Sequence, residues 1–243
     1  MPHRYKHGGF VKPSVTEIIG DSVPPGGLIQ WAANKTVEWI KDSCHQDLSG
    51  YYSVDDDELN EARFAYKEYS KEAMNTGSAV HKFAEVFLNS GRLDGTIQDD
   101  YNEEQYKTAC ESFLLWYSCV DYFKPIENEF KVYGKYVGGT CDTVGTLLWH
   151  DKGIRVPTVY YIDFKSSMYV SRPSHGPQIA AYKDMDGRYL DAGVAMLHLD
   201  KDNVDFKWKD YTEDGFKMWS EYLYMEGLFM SRHPLIAKKA GWK

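Results

Sequence analysis

Two β-prone runs, Tyr136–His150 and Ile154–Ser167, are joined by nothing longer than Asp151-Lys152-Gly153. So short a turn folds extended segments back antiparallel, and this hairpin constrains the fold more than any other feature of the chain. The second run contains Tyr160-Tyr161-Ile162-Asp163-Phe164-Lys165-Ser166, where an acid and a base stand two residues apart in apolar surroundings. Alternate side chains of a strand share a face, which sends Asp163 and Lys165 one way and Ile162 and Phe164 into the core.

Register ties this pair to a further acid. If Asp151 pairs with Ile154, counting back along both strands sets Asp142 opposite Asp163, whereas a bulge would slip the match by one. Carboxylates facing each other across a ladder repel, and one resists ionising unless something neutralises the pair. A divalent cation does so. Hard oxygen ligands, an open coordination sphere and a nearby lysine suit Mg2+ or Mn2+ better than zinc. The plainer alternative is an ion-pair ladder on an exposed face, which the apolar neighbours of Asp163 disfavour.

With these residues in place the sequence resembles the RecB-like branch of the PD-(D/E)XK nucleases. Gly138-Gly139-Thr140-Cys141-Asp142 resembles that branch's first-acid motif, and Gly77-Ser78-Ala79-Val80-His81 its upstream histidine motif. Gln178-Ile179-Ala180-Ala181-Tyr182 resembles its glutamine and tyrosine signature, and Pro13-Ser14-Val15-Thr16-Glu17-Ile18-Ile19 the opening of many phage-type members. The matches run from about residue 13 to about residue 182, and their order and spacing carry the specificity.

The resemblance implies a restriction-endonuclease-like α/β core, a mixed central sheet flanked by helices, with a helical region before it. It implies a Mg/Mn-dependent deoxyribonuclease, an exonuclease on single-stranded or end-processed DNA in repair, recombination or replication, with phage or host recombination and replication proteins as partners. The implied metal ligands are His81, Asp142, Asp163 and the backbone carbonyl of Phe164. Asp142, Asp163 and Lys165, with Gln178 and Tyr182, form the implied catalytic set. Glu129 sits where relatives often carry an acid on the strand before the hairpin. Glu85 shares a helical face with His81 and is a candidate to orient it, with a plain surface glutamate as the alternative. Some relatives bind an iron–sulfur cluster through one early and three late cysteines. This chain has no cysteine after Cys141, so no such cluster is expected.

The 243 residues, 43% of them hydrophobic, can fill one sizeable core, and no Pro/Gly/Ser-rich linker divides them. One domain over 1–243 is expected, helical over 1–122 and sheet-containing over 123–243. Scattered cysteines and the lack of any long uncharged apolar run point to a cytoplasmic protein without disulfides or a membrane span. The formal charge of −8 argues against a nucleic-acid partner, but weakly, because a metal-dependent nuclease gathers acids at its centre and needs only a local basic groove.

One such cluster is legible. Asp57–Asn75 reads as a helix, with Arg63, Lys67 and Lys71 four residues apart beside Tyr66 and Tyr69. This stripe can hold a single strand through phosphate contact and stacking, or be a solvated face, as Glu61, Glu68 and Glu72 favour. The terminal Lys238-Lys239-Ala240-Gly241-Trp242-Lys243 is a second basic patch. Further helices are expected over Ser14–Ile19, Gly27–Lys41 after the Pro24-Pro25-Gly26 breaker, Gly77–Asn89, Glu103–Tyr122, Pro177–Asp186 and Thr212–Arg232. Strands are expected over Ile126–Tyr133, Gly193–Leu199 and Val204–Lys209. In the first of these, alternation groups Ile126, Phe130 and Val132 against Glu127, Glu129 and Lys131. The other histidines read as ordinary surface or core residues. Two other functional classes stay open: a non-catalytic nucleic-acid-binding protein, and a metal-dependent hydrolase of small phosphate esters.

Overall fold

The computed structural model describes residues 4–23, 28–93, 101–167 and 172–242. The Pro24-Pro25-Gly26 breaker, Gly27 and Lys243 lie outside the described residues. The chain opens with a small antiparallel hairpin, β1 (Arg4–His7) and β2 (Phe10–Pro13), before helices α1 (Val15–Ser22) and α2 (Leu28–Ser43). Ser14 caps α1, its hydroxyl accepting from the Glu17 N–H at 3.0 Å. A two-residue ladder, β3 (His45–Gln46) and β4 (Tyr52–Ser53), leads into α3 (Asp56–Ala62), α4 (Ala65–Ser90) and α5 (Glu103–Cys119). Strands β5 (Tyr122–Tyr133), β6 (Gly138–Trp149) and β7 (Ile154–Lys165) follow as a meander. Helix α6 (Arg172–Asp186) crosses to β8 (Gly193–Leu199), which pairs parallel to β7. Strand β9 (Phe206–Asp210), α7 (Gly215–Arg232) and α8 (Pro234–Ala240) complete the chain.

The result is an α/β structure around a five-stranded mixed sheet in the order β5-β6-β7-β8-β9, flanked by helices. Burial on both faces follows from the sequence of β7, whose alternate residues feed opposite layers. Tyr161 joins Val194 and Met196 beneath α1, α6 and α7. Ile162 and Phe164 join Leu197, Phe113 and Trp116 beneath α4 and α5. A strand buried on both faces reads as a nearly continuous apolar run, which makes Asp163, fully buried within it, an expensive exception.

The hairpin register is the expected one, reached by a different route. Trp149, not Asp151, pairs with Ile154, around a single 3₁₀ turn over His150–Lys152. The ladder is then irregular between Leu147 and Trp149, where the opposing stretch of β7 carries extra residues including Pro157, which has no N–H to give a ladder. Beyond it Leu147 pairs with Thr158 and Thr143 with Ile162, the register the tighter turn would have produced.

Other boundaries moved for identifiable reasons. The helices expected over Asp57–Asn75 and Gly77–Asn89 are divided at Arg63-Phe64 instead, and α4 continues through Gly77. A glycine in a helix interior costs only about 1 kcal/mol relative to alanine, which burial of Thr76, Ala79 and Val80 around it outweighs. Strand β5 starts at Tyr122 rather than Ile126, accommodating Pro125 because it is an edge strand. The facial grouping expected for β5 holds for Phe130 and Val132, buried together with Lys131 exposed between them, and fails at Ile126. The β5 ladder bulges between Pro125 and Glu127, and Glu129 adopts a positive φ of 48°. Ile126 is exposed beside this bulge, and Arg188 reaches Glu127, at 2.7 Å, and the Phe130 ring. Helix α6 begins at Arg172 and takes Pro177 inside it. The region before residue 122 is not purely helical, since it contains the two small hairpins. The terminal basic patch is in part a helix, α8, held by buried Ala237 and Ala240. No helix among the described residues is long and apolar enough to cross a membrane.

The glycine pair opening β6 has a packing role. A Cβ at Gly139 would run into the ring of Tyr182 on α6, which is itself buried. Gly139→Ala is expected to overpack this contact and lower stability by about 1–3 kcal/mol, measured by urea denaturation.

Candidate metal and active site

Ladder geometry gathers the acids. Thr143 pairs with Asn128 on one side and Ile162 on the other, so the preceding residue, Asp142, stands between Glu129 on β5 and Asp163 on β7. Three carboxylates thus occupy one row across adjacent strands. Glu129 is the only non-glycine residue with positive φ among the described residues, and strain of about 1–3 kcal/mol at such a position persists only where surrounding structure imposes it.

Helix α4 brings His81 to this row. Its Nδ1 lies 3.3 Å from Asp142 Oδ1 and 3.7 Å from Glu129 Oε1. The other Asp142 oxygen accepts from the Phe164 backbone N–H at 2.6 Å, so a side chain takes the place of a ladder acceptor between β6 and β7. Phe164 therefore enters the site through its amide, and its ring meets His81 edge-on. Glu85 does not act on His81 here. It is held by Lys82 at 2.7 Å, and Asp142 and Glu129 are the carboxylates facing the imidazole.

Asp163 is positioned from the opposite side. Its Oδ1 accepts from Gln178 Nε2 at 3.0 Å, and the same amide lies 3.2 Å from the Tyr182 hydroxyl, which it meets as donor. Gln178 and Tyr182 thus share the helical face expected of them and act on Asp163, not on Lys165. The Lys165 ammonium pairs with Asp163 Oδ2 at 2.8 Å.

Electrostatics separate the two aspartates. For Asp142, burial opposes charge but His81, Lys165 and the Phe164 N–H prevail, holding the carboxyl below its usual value. For Asp163, burial, opposed by Lys165 and reinforced by Asp142, pushes the carboxyl up to about 6. Burial also disfavours a charged His81, yet Asp142 and Glu129 outweigh it and push the imidazole up to about 10. Lys165 is raised as well, since Asp163 and Asp142 outweigh its own desolvation. At neutral pH it is a firm cation.

His81, Glu129 and Asp142 offer ligand atoms that all lie within 4.8 Å of one another, a donor set able to hold a metal ion. The structure therefore joins His81 and Asp142 as expected and moves Glu129 from a supporting position to the centre. Asp163 stands next to that trio, tethered by Lys165 and Gln178.

A cleft of about 780 Å³ reaches this site, with His81 and Lys165 in its lining. Its walls carry Trp31 and Lys35 from α2, Tyr69 from α4, and Lys201. Sequence reading missed Trp31, Lys35 and Lys201. The only signal in the sequence for the first two is that Trp31, Lys35 and Trp39 recur every four residues. The expected stripe divides differently: Arg63 and Lys67 both lie over the ring of Phe64, and Lys71 lines a neighbouring cavity. No family model and no curated protein matches this chain.

A cation bound by these groups must displace the proton on His81 and, below about pH 6, that on Asp163. Addition of Mg2+ or Mn2+ is expected to stabilise the fold by about 2.7 kcal/mol at a hundredfold excess over Kd, seen as a higher unfolding midpoint. Because the competing protons leave as pH rises, the shift should grow from pH 6 to pH 9 and be lost in Asp142→Asn, read by differential scanning fluorimetry.

Proposed function

We propose that this chain is a Mg2+- or Mn2+-dependent deoxyribonuclease of the PD-(D/E)XK kind, hydrolysing phosphodiester bonds at single-stranded or end-processed DNA. One observation carries the reading: an ammonium, three carboxylates and an imidazole from four separate elements converge at the end of an open cleft. A protein with no use for such a cluster would be more stable without it, since opposed buried acids are costly.

His81, Glu129, Asp142 and Asp163 are the residues that would hold the cation. When bound, the ion supplies Lewis-acid polarisation of a phosphoryl oxygen and lowers the pKa of a coordinated water. The chain's own residues do the rest. Lys165, kept cationic by Asp163 and Asp142, is suited to stabilise negative charge growing on the phosphate rather than to act as a general base. Gln178 holds the Asp163 carboxylate in place, and Tyr182 supports that amide from the next turn of α6. Asp142, bonded to the Phe164 N–H, keeps β6 and β7 in the alignment on which these distances depend.

Incubation with labelled single-stranded and duplex DNA, in magnesium, manganese or chelator, tests the proposal. Cleavage is expected only with cation. A protein that binds DNA without cutting it would instead be a nucleic-acid-binding module, and one that hydrolyses only small phosphate esters would belong to the third class. Asp163→Ala is expected to abolish cleavage with its circular dichroism unchanged. Lys165→Met is expected to lower kcat by about 100- to 1000-fold. Parental rates in folded Asp163→Ala would refute the assignment.

A further inference from the structure

We infer that Asn128 is a positioning residue, whose side chain, tied to Thr143 and to Asn89 of α4, turns the Glu129 carboxylate onto the His81 side of the sheet. The inference rests on the metal site of the reading above and not on its hydrolytic step.

Successive side chains of a strand point to opposite faces. Four consecutive residues of β5 break that rule at one place. Glu127 pairs with Val144, which lies in the layer beneath α1, α6 and α7, and Arg188, just past α6, reaches its carboxylate. Asn128 points the other way, to Asn89 on α4. Alternation would then return Glu129 to the α6 layer and send Phe130 to the α4 layer. The reverse is found. Glu129 faces His81 on α4 at 3.7 Å, whereas Phe130 packs in the α6 layer with the Arg188 guanidinium over its ring. The positive φ of 48° stands where the order changes. No residue is inserted there, since Asn128 pairs with Thr143 and Phe130 with Cys141. Strand β6 changes face at the matching point: Thr143 reaches Asn128 on the α4 side, Cys141 lies in the α6 layer, and Asp142 stands between them.

A glutamate gains nothing by itself from left-handed backbone, so its neighbours must impose it. The residue before it is the one that is clamped. The Thr143 hydroxyl, on a fully buried side chain, donates to Asn128 Oδ1 at 2.6 Å, and Asn128 Nδ2 donates to Asn89 Oδ1 at 2.8 Å. Both ends of the amide are engaged on the α4 side. Asn89 follows His81 on α4 by just over two turns, about 12 Å. Helix and strand are therefore joined at two points, Asn89 to Asn128 and His81 to Glu129. With Asn128 fixed toward α4, only a turn of the backbone at the next residue brings a second consecutive side chain to the same helix.

Nuclear Overhauser contacts in the full chain, in chelator, test this placement directly. A contact between the His81 ring and the Glu129 side chain is expected in the parental protein and lost in Asn128→Ala, while the contact between Gln178 and Tyr182 persists in both. Thr143→Val removes one of the two clamping bonds and is expected to weaken the same contact, which decides the matter if Asn128→Ala does not fold. Calorimetric titration with Mn2+ supplies a second reading. Asn128→Ala and Glu129→Gln are each expected to lower affinity about 10- to 100-fold, and the double variant no further, because both act on the same ligand. An Asn128 that only supports the fold would lower the unfolding midpoint and add its loss to that of Glu129→Gln. An undiminished contact between His81 and Glu129 in folded Asn128→Ala, or additive losses of affinity, would overturn the inference. A parental protein that binds Mn2+ without cutting DNA would overturn the hydrolytic reading alone. One that binds no cation would overturn the metal site, and the Overhauser contact would still decide the role of Asn128.

Discussion

Everything in the central sheet accommodates a row of carboxylates that a folded chain would ordinarily avoid. Glu129, Asp142 and Asp163 stand side by side on three neighbouring strands, and one of them is fully buried. Their mutual repulsion is offset locally by Lys165, His81, the Gln178 amide and the Phe164 N–H. The compensating groups come from three elements. Helices α4 and α6 and strand β7 are thereby bound to one small volume by charge as well as by apolar contact.

The same demand accounts for local irregularities. Strand β5 bulges after Pro125 and passes through a positive φ at Glu129, and the β6–β7 ladder gives up a backbone acceptor to the Asp142 side chain. Irregular backbone beside a cluster of charged groups fits the general tendency of strain to collect where function requires a particular arrangement. Away from the row, ordinary packing governs. Tyr161, Ile162 and Phe164 distribute themselves to the two layers by simple alternation, and the helices above them contribute Phe113, Trp116, Ile179 and Tyr222.

The contrast between α2 and the rest of the molecule accounts for the open cleft beside that helix. Helices α4, α5, α6 and α7 each bury several side chains against the sheet or one another, whereas α2 buries none among its described residues. Small apolar contact means weak attachment, and weakly attached elements are those that ligands can reposition. The cleft and the acid row meet at His81, which belongs to both.

Alternation, turn residues and the isolated charges of β7 were enough to infer a hairpin, to set Asp142 opposite Asp163 and to put Gln178 and Tyr182 on one helix face, because a strand's period of two and a helix's spacing of four are local geometry, whereas the nearness of His81, Gln178 and Tyr182 to the acids was implied only by the family resemblance. The extent of β5, the continuity of α4 through Gly77 and the 3₁₀ turn with its compensating bulge were not legible, since each depends on burial against segments distant in sequence. Glu129 became central, and Glu85 was given to Lys82, only once a positive φ and the crossing of α4 over the sheet had set their distances from His81. The sequence by itself determined which ionisable groups share a strand or a helix face. Tertiary structure decided which of those faces meet, because that depends on how helices lie across the sheet, and short-range periodicity carries no record of it.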